Sequence, residues 1–378
     1  MIPFIDLKAQ QQRIRADIDD RLTKVLDHGA YIMGPEVKEL EAELASWAGT
    51  KHAISCSSGT DALILALLGK KCRPGQGVIV PSFTFAASPE SLAVLGAIPV
   101  FCDVDPHSFN LDARGLSAAL DSATAQQIDV VGVMAVGLFG QPSDMTAISA
   151  FAKRHDLWVI DDAAQSFGAS WDGRPVGQLA DVTCTSFFPA KPLGCYGDGG
   201  ALFTDDDEVA EIAISCRVHG MGKTKYHNDR IGMTARLDTM QAAVLLSKLS
   251  IFKDELAHRQ RVADSYEAHL GAHVATPRLC EGATSSWAQY TVKLPQHVSR
   301  DAIQEAMQKA GVPTMVYYPI PMHKQAPYQR YPVANDGLPI TDALCDVVLA
   351  LPMHPYLSEE QIAHIAAVFL QALEEQPA

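Results

Sequence analysis

Residues 130–169 read VVGVMAVGLFGQPSDMTAISAFAKRHDLWVIDDAAQSFGA, and the order of patterns within them decides the fold. An apolar run, a segment with apolar residues at helical spacing behind an acidic start, and a second apolar run predict strand, helix, strand. Strands that are apolar along their whole length are buried on both faces, as in a parallel sheet covered by helices. Working outward, GVIVPSF (77–83) and AIPVFCDV (97–104) predict two more such strands. DALILALL (61–68), ASPESLAVLG (87–96) and TMQAAVLLSKLSIF (239–252) predict helices between and after them. The stretch from about 60 to 250 therefore reads as a mostly parallel α/β sheet, with polar residues at strand carboxyl ends as the expected ligand site.

Past residue 250 the pattern changes. KDELAHRQRVADSYEAHL (253–270) predicts a long charged helix, AQYTVKL (288–294) a strand and SRDAIQEAMQKAG (299–311) a helix, followed by the Pro-rich run VYYPIPMHKQAPYQRYP. The expected division is an N-terminal segment and large α/β domain over 1–250, and a smaller α+β domain over 251–378. A helix from Gln10 to Leu26 is expected to pack across the two domains or to reach another subunit, and the acidic end LEEQPA reads as a frayed tail.

Chain-wide properties narrow the function. A length of 378 residues suits two packed domains. With 44 acidic residues against 30 Lys plus Arg, the net charge of -14 argues against nucleic-acid or anionic-membrane binding, so an anionic substrate must be held by local donors. The eight cysteines contain no C-x-x-C pair and the thirteen histidines no H-E-x-x-H pair, so neither a disulfide framework nor a metal centre is expected. No apolar leader and no run approaching ~20 apolar residues is visible, and a cytoplasmic location is expected by default.

Three local features then converge. In CSSGTDALILALL (56–68), Ser58, Gly59 and Thr60 precede an apolar helix. They read as an N-cap or as a phosphate cradle built from free N–H groups and the helix dipole. In LWVIDDAAQSFGA (157–169), Asp161 and Asp162 end a buried strand, where a carboxylate caps a helix, holds a metal or meets a cation. In VTCTSFFPAKPLGCYGDGGALFT (182–204), Lys191 stands alone among apolar and glycine residues, either as an exposed loop lysine or as a sheltered amine. A sheltered amine, a strand-end acid and a phosphate cradle are what pyridoxal phosphate requires: a Schiff-base partner, a group that keeps its pyridine nitrogen protonated, and an anchor.

The segments SSGTDAL, PSFTF, DDAAQSFGA, SFFPAKPLGCYGDGG and RLDTMQAA together resemble the DegT-type (DegT/DnrJ/StrS) sugar aminotransferases, and the likeness runs from FIDLKAQ to LPMHPYL. The resemblance implies an α/β fold of type I, aspartate aminotransferase-like, with pyridoxal 5'-phosphate alternating with its pyridoxamine form. Within that family the chain resembles the bacterial enzymes that aminate carbon 3 of UDP-2-acetamido-2-deoxy-3-oxo-glucuronate. In those enzymes L-glutamate is the donor, 2-oxoglutarate the co-product, and the aminated sugar goes into lipopolysaccharide O-antigen.

Carried over by position, the resemblance implies that Lys191 bonds the cofactor and moves the proton, and that Asp162 partners the pyridine nitrogen. Gln165 would neighbour the ring hydroxyl, and Ser186 with Gly59 and Thr60 would hold the phosphate. Phe85 would stack on the ring, although its position suits ordinary core packing equally. Arg236 would clamp a carboxylate of uronate or glutamate, or else form a local salt bridge.

Two positions depart from the family pattern. Thr234 stands where an Asn usually reaches the cofactor phosphate of the neighbouring subunit, and Tyr317 stands where the glucuronate enzymes carry His, beside the shared Tyr318; the resemblance implies that both tyrosines bind substrate. The usual arrangement is a homodimer with shared active sites. Two rival readings are a pyridoxamine-dependent sugar dehydratase, whose members usually have His at the lysine position, and a non-catalytic regulator on the same fold.

Overall fold

The computed structural model describes residues 2–224 and 226–376. The large sheet among these residues has seven strands: β1 His52–Cys56, β2 Gly77–Pro81, β3 Ile98–Cys102, β4 Val130–Val136, β5 Trp158–Asp162, β6 Val182–Ser186 and β7 Gly200–Thr204. Their spatial order is β1-β7-β6-β5-β4-β2-β3. The run β3-β2-β4-β5-β6 is parallel, whereas β7 lies antiparallel between β6 and β1. The sheet is thus mostly parallel, as the apolar runs predict. Strands β1, β6 and β7 were not legible, because HAISC, VTCTS and GALFT are short and mix small polar residues with apolar ones.

Helices cover both faces. Helix α4 (Gly59–Gly69) is buried almost all round, from Ala62 to Leu67, as expected of a helix with no polar face. Shorter helices, α5 (Ala87–Val94), α6 (Leu116–Ala125) and α7 (Met145–Arg154), follow β2, β3 and β4, each crossing back to the next parallel strand. Helix α8 (Asp207–Cys216) packs on α4.

The two helical segments expected on either side of residue 250 form one helix, α9 (Thr239–Leu270), 32 residues long. Neither Gly nor Pro interrupts TMQAAVLLSKLSIFKDELAHRQRVADSYEAHL, so the change from apolar to charged composition marks a change of surroundings and not a break. Ala242, Leu245, Leu246 and Phe252 pack with α3 (Pro35–Ala48) and β7, while Val262, Ala263, Tyr266 and Leu270 enter a second core. That core holds β8 (Tyr290–Lys293), its antiparallel partner β9 (Val348–Leu351), α10 (Arg300–Lys309) and α12 (Glu359–Glu374). Helix α12 starts on a capping box between Ser358 and Gln361 and carries the chain into the expected tail.

The N-terminal helix is broken at Ile14 into α1 (Leu7–Arg13) and α2 (Arg15–His28). Ile14 and Ile18 pack on Val244 of α9, and the Phe4 carbonyl accepts from the Met353 N–H at 3.2 Å. This segment therefore touches both cores. None of the described helices is long and apolar enough to cross a membrane.

Candidate active site

The site grows from the carboxyl end of β5, in the middle of the sheet. Successive strand residues point to opposite faces, so Asp161 and Asp162 enter different surroundings. Asp161 is fully buried, and neither carboxylate oxygen has a hydrogen-bond partner. Burial, aided by the charge of Asp162, pushes its pKa up to about 8, which favours the neutral form. Asp162 is also buried, and burial raises its pKa, but here donors oppose the rise. The Ser88 hydroxyl donates to Oδ2 at 2.8 Å, the Ala164 N–H donates to Oδ1 at 3.2 Å, and the charge of Lys191 adds to both. The two adjacent acids are thus sorted into one whose neutral form is favoured and one, Asp162, equipped with donors to hold charge.

Lys191 lies in the irregular turn after β6, its N–H bonded to the Phe188 carbonyl at 2.9 Å. Part of the residue stays accessible while its amine is desolvated. Burial lowers the pKa and Asp162 raises it; burial is the larger effect, so the neutral amine is favoured more than in free lysine.

The phosphate-cradle reading rests on the start of α4. The Ser58 side chain accepts from the Asp61 N–H at 3.0 Å, and the first helical bond runs from the Ala62 N–H to the Ser58 carbonyl at 3.0 Å. The N–H groups of Gly59 and Thr60 therefore precede the helical ladder and are free for an anion, with the helix dipole behind them. The cradle is packed tightly on two strands. A Cβ on Gly59 would sit 2.6 Å from the Ser186 Cβ, and one on Gly200 would sit 2.3 Å from the Ser58 carbonyl oxygen. The plain N-cap is also realised, since Ser58 caps α4; the two roles use different atoms.

Gln165 is buried, its Oε1 accepting from the Phe139 N–H at 2.7 Å and its Nε2 donating to the Tyr318 hydroxyl at 3.4 Å. Tyr318 stands 6.1 Å from the ring of Phe85, which is 56% exposed and so does not serve as core packing. Tyr317 is half-buried between Tyr318 and Phe4 of the N-terminal segment.

Thr234 and Arg236 do not join this group through any hydrogen bond among the described residues. Their neighbour Ala235 accepts from the Ser57 N–H at 3.2 Å, which places the segment behind the cradle. Thr234 is exposed and its hydroxyl pairs with His219 Nε2 at 2.8 Å. Arg236 is half-buried, and its Nε–H meets no acceptor.

Sequence reasoning did not find Ser88, Thr84 or His219. Ser88 falls in the first turn of α5, inside a segment read only as a helix, and its proximity to Asp162 depends on the β2–α5 connection reaching past β4 to the end of β5.

These features fit a phosphorylated pyridine aldehyde: an amine favoured in its neutral form, a buried acid provided with donors, and an anion cradle that a single methyl group would disturb. Sheet and site together define a type I fold transferase, the pyridoxal-phosphate-dependent class. Residues 12–370 match the model of the DegT/DnrJ/EryC1/StrS aminotransferase family, and the chain belongs to that family. It is 47% identical to the UDP-2-acetamido-2-deoxy-3-oxo-D-glucuronate aminotransferase of Pseudomonas aeruginosa, over 97% of this chain and 99% of that one. It is 39% identical to the UDP-N-acetyl-3-dehydro-alpha-D-glucosamine 3-aminotransferase of Acidithiobacillus ferrooxidans, over 98% of each chain. The S. venezuelae protein solved in complex with a ketimine intermediate superposes with a TM-score of 0.93 at 34% identity, over 100% of this chain and 99% of that one. The chain is accordingly an aminotransferase, and neither the dehydratase nor the regulator reading is favoured.

Proposed function

We propose that this chain transfers the amino group of L-glutamate to carbon 3 of a UDP-2-acetamido-2-deoxy-3-oxo-hexuronate, for lipopolysaccharide sugar synthesis. The single observation that carries the reading is the pairing of Lys191, whose burial favours the neutral amine, with Asp162, whose carboxylate is held by two donors. The name of the Pseudomonas relative supports the uronate, and that of the Acidithiobacillus relative makes the corresponding hexose the competitor to test.

When bound, pyridoxal phosphate supplies an aldehyde for the incoming amine and a ring that accepts the electron pair left when a proton departs. Asp162 keeps negative charge against the ring nitrogen. Lys191 Nζ, whose burial favours the neutral amine, would take the proton from the amine-bearing carbon and return it to the cofactor carbon on the other side of the transferred nitrogen. Gly59 and Thr60 N–H groups, with the Ser186 hydroxyl, hold the phosphate, and Gln165 and Tyr318 border the ring hydroxyl. Phe85 covers the ring face. Arg236, with its Nε–H unclaimed, is the proposed donor to a substrate carboxylate, and Tyr317 offers a hydroxyl where relatives of this kind carry His. Thr234 is proposed to face the neighbouring subunit's phosphate together with His219.

The active form is proposed to be a cytoplasmic homodimer with shared sites, divided internally near residue 250. Support comes from large apolar side chains more than a third exposed, such as Phe85, Phe188, Tyr31, Ile32 and Met33. Glutamate supplied with each of two UDP-linked 3-keto sugars, uronate and hexose, tests the reading through 2-oxoglutarate release. Faster release with the uronate is expected; release with neither would contradict the proposed reaction, and preference for the hexose would reassign the sugar.

A further inference from the structure

Asp162 is gripped by a residue outside the set considered so far. Ser88 is fully buried in the first turn of α5, and its hydroxyl lies 2.8 Å from Asp162 Oδ2. Thr84, itself buried, places Oγ1 at 3.1 Å from the Ser88 Oγ. A serine hydroxyl has one proton, and Ser88 gives it to the carboxylate, so Thr84 must be the donor in the second bond. The chain Thr84 to Ser88 to Asp162 therefore runs in one direction, and each bond polarises the next. Ser88 engages Oδ2 while the Ala164 N–H engages Oδ1, so rotation of the carboxylate is blocked on both sides.

The contrast with Asp161 shows what these donors do. It is one residue away and equally buried, and without donors its pKa is pushed up to about 8. Helix α5 contributes further, since its N-terminal end favours negative charge nearby.

We propose that Ser88, backed by Thr84, is a positioning residue that keeps the charge and orientation of Asp162 set for the cofactor's ring nitrogen. This role rests on the proposed reading of the site. Without the Ser88 proton, Asp162 binds its own proton more tightly, draws the shared proton away from the ring nitrogen, and is free to turn.

The test compares wild type with Ser88→Ala, Ser88→Thr and Thr84→Val, each loaded with pyridoxal phosphate labelled at the ring nitrogen. Nitrogen NMR reads how far that nitrogen is protonated, and steady-state kinetics separate kcat from KM. Ser88→Ala is expected to move the ring signal toward the unprotonated form and to lower kcat roughly tenfold, with KM for glutamate little changed. Ser88→Thr is expected to restore both, and Thr84→Val to shift both in the same direction by less. A wild-type ring signal in Ser88→Ala overturns the role of Ser88. The same holds if Ser88→Thr is as impaired as Ser88→Ala, because that points to packing. Absence of lysine-bound cofactor in the wild type, seen as missing visible absorbance, overturns the reading of the site and this role with it.

Discussion

At the scale of single residues, the site is a matter of which neighbours a buried charge finds. Asp161 and Asp162 are adjacent and identical, and DDAAQ carries no sign of which will ionise; the difference lies in donors contributed by α5 and by the Ala164 backbone. Asp161 gives a measurable consequence. Its folded pKa, pushed up to about 8 chiefly by burial and then by Asp162, exceeds the roughly 4 of an unfolded chain. Between those values the folded protein holds a proton that the unfolded chain has lost, so stability from this group falls as pH rises from about 4 to about 8. Asp161→Asn removes the dependence. Its unfolding free energy, measured across that range, is expected to decline less steeply than wild type, by up to about 1.4 kcal/mol per pH unit; parallel curves would show that Asp161 is ionised in the fold. Lys191, with Pro and Gly on both sides, read as either an exposed loop lysine or a sheltered amine until it was set beside a strand-end acid and the start of α4, whereas Ser88 was not legible at all, because a serine near a helix start has many commoner uses.

At the scale of elements, the parallel core was readable because β2 and β4 are apolar throughout and β5 is apolar up to its two terminal acids, which only a doubly covered strand tolerates. Helix α9 was read in two pieces because composition shifts at its middle, while backbone propensity, the stronger guide to continuity, does not. The contact between the α4 start and β6 was out of reach of pattern and spacing, since it joins residues 59 and 186, and only the family resemblance set Ser186 beside Gly59 and Thr60. Gly59→Ala tests that contact: the added methyl group would meet Ser186 at 2.6 Å and displace the N–H pair from its place. Affinity is expected to fall roughly tenfold for pyridoxal phosphate but little for unphosphorylated pyridoxal, by equilibrium dialysis. An equal loss for both would mean that α4 supports the ring and not the phosphate.

At the scale of the whole molecule, the N-terminal segment ties both cores together, and the Thr234–Arg236 stretch lies behind its own cradle with Arg236 Nε–H unclaimed. If that stretch completes a neighbour's site, mixing inactive Lys191→Ala and Arg236→Ala subunits should recover about a quarter of wild-type turnover, from the one intact site of each mixed dimer. No recovery after verified subunit exchange would place each site within one chain. The central claim is that Lys191 is the amine that takes up the cofactor, and the fold offers a rival for that role. Lys248 is also buried, its pKa lowered to about 8, with Nζ over the Tyr196 ring at 4.3 Å and no hydrogen-bond partner. Borohydride reduction of the cofactor-loaded protein, followed by peptide mapping, separates the two lysines. The phosphopyridoxyl label is expected on the peptide containing Lys191; a label on Lys248, or none on Lys191, would contradict the assignment.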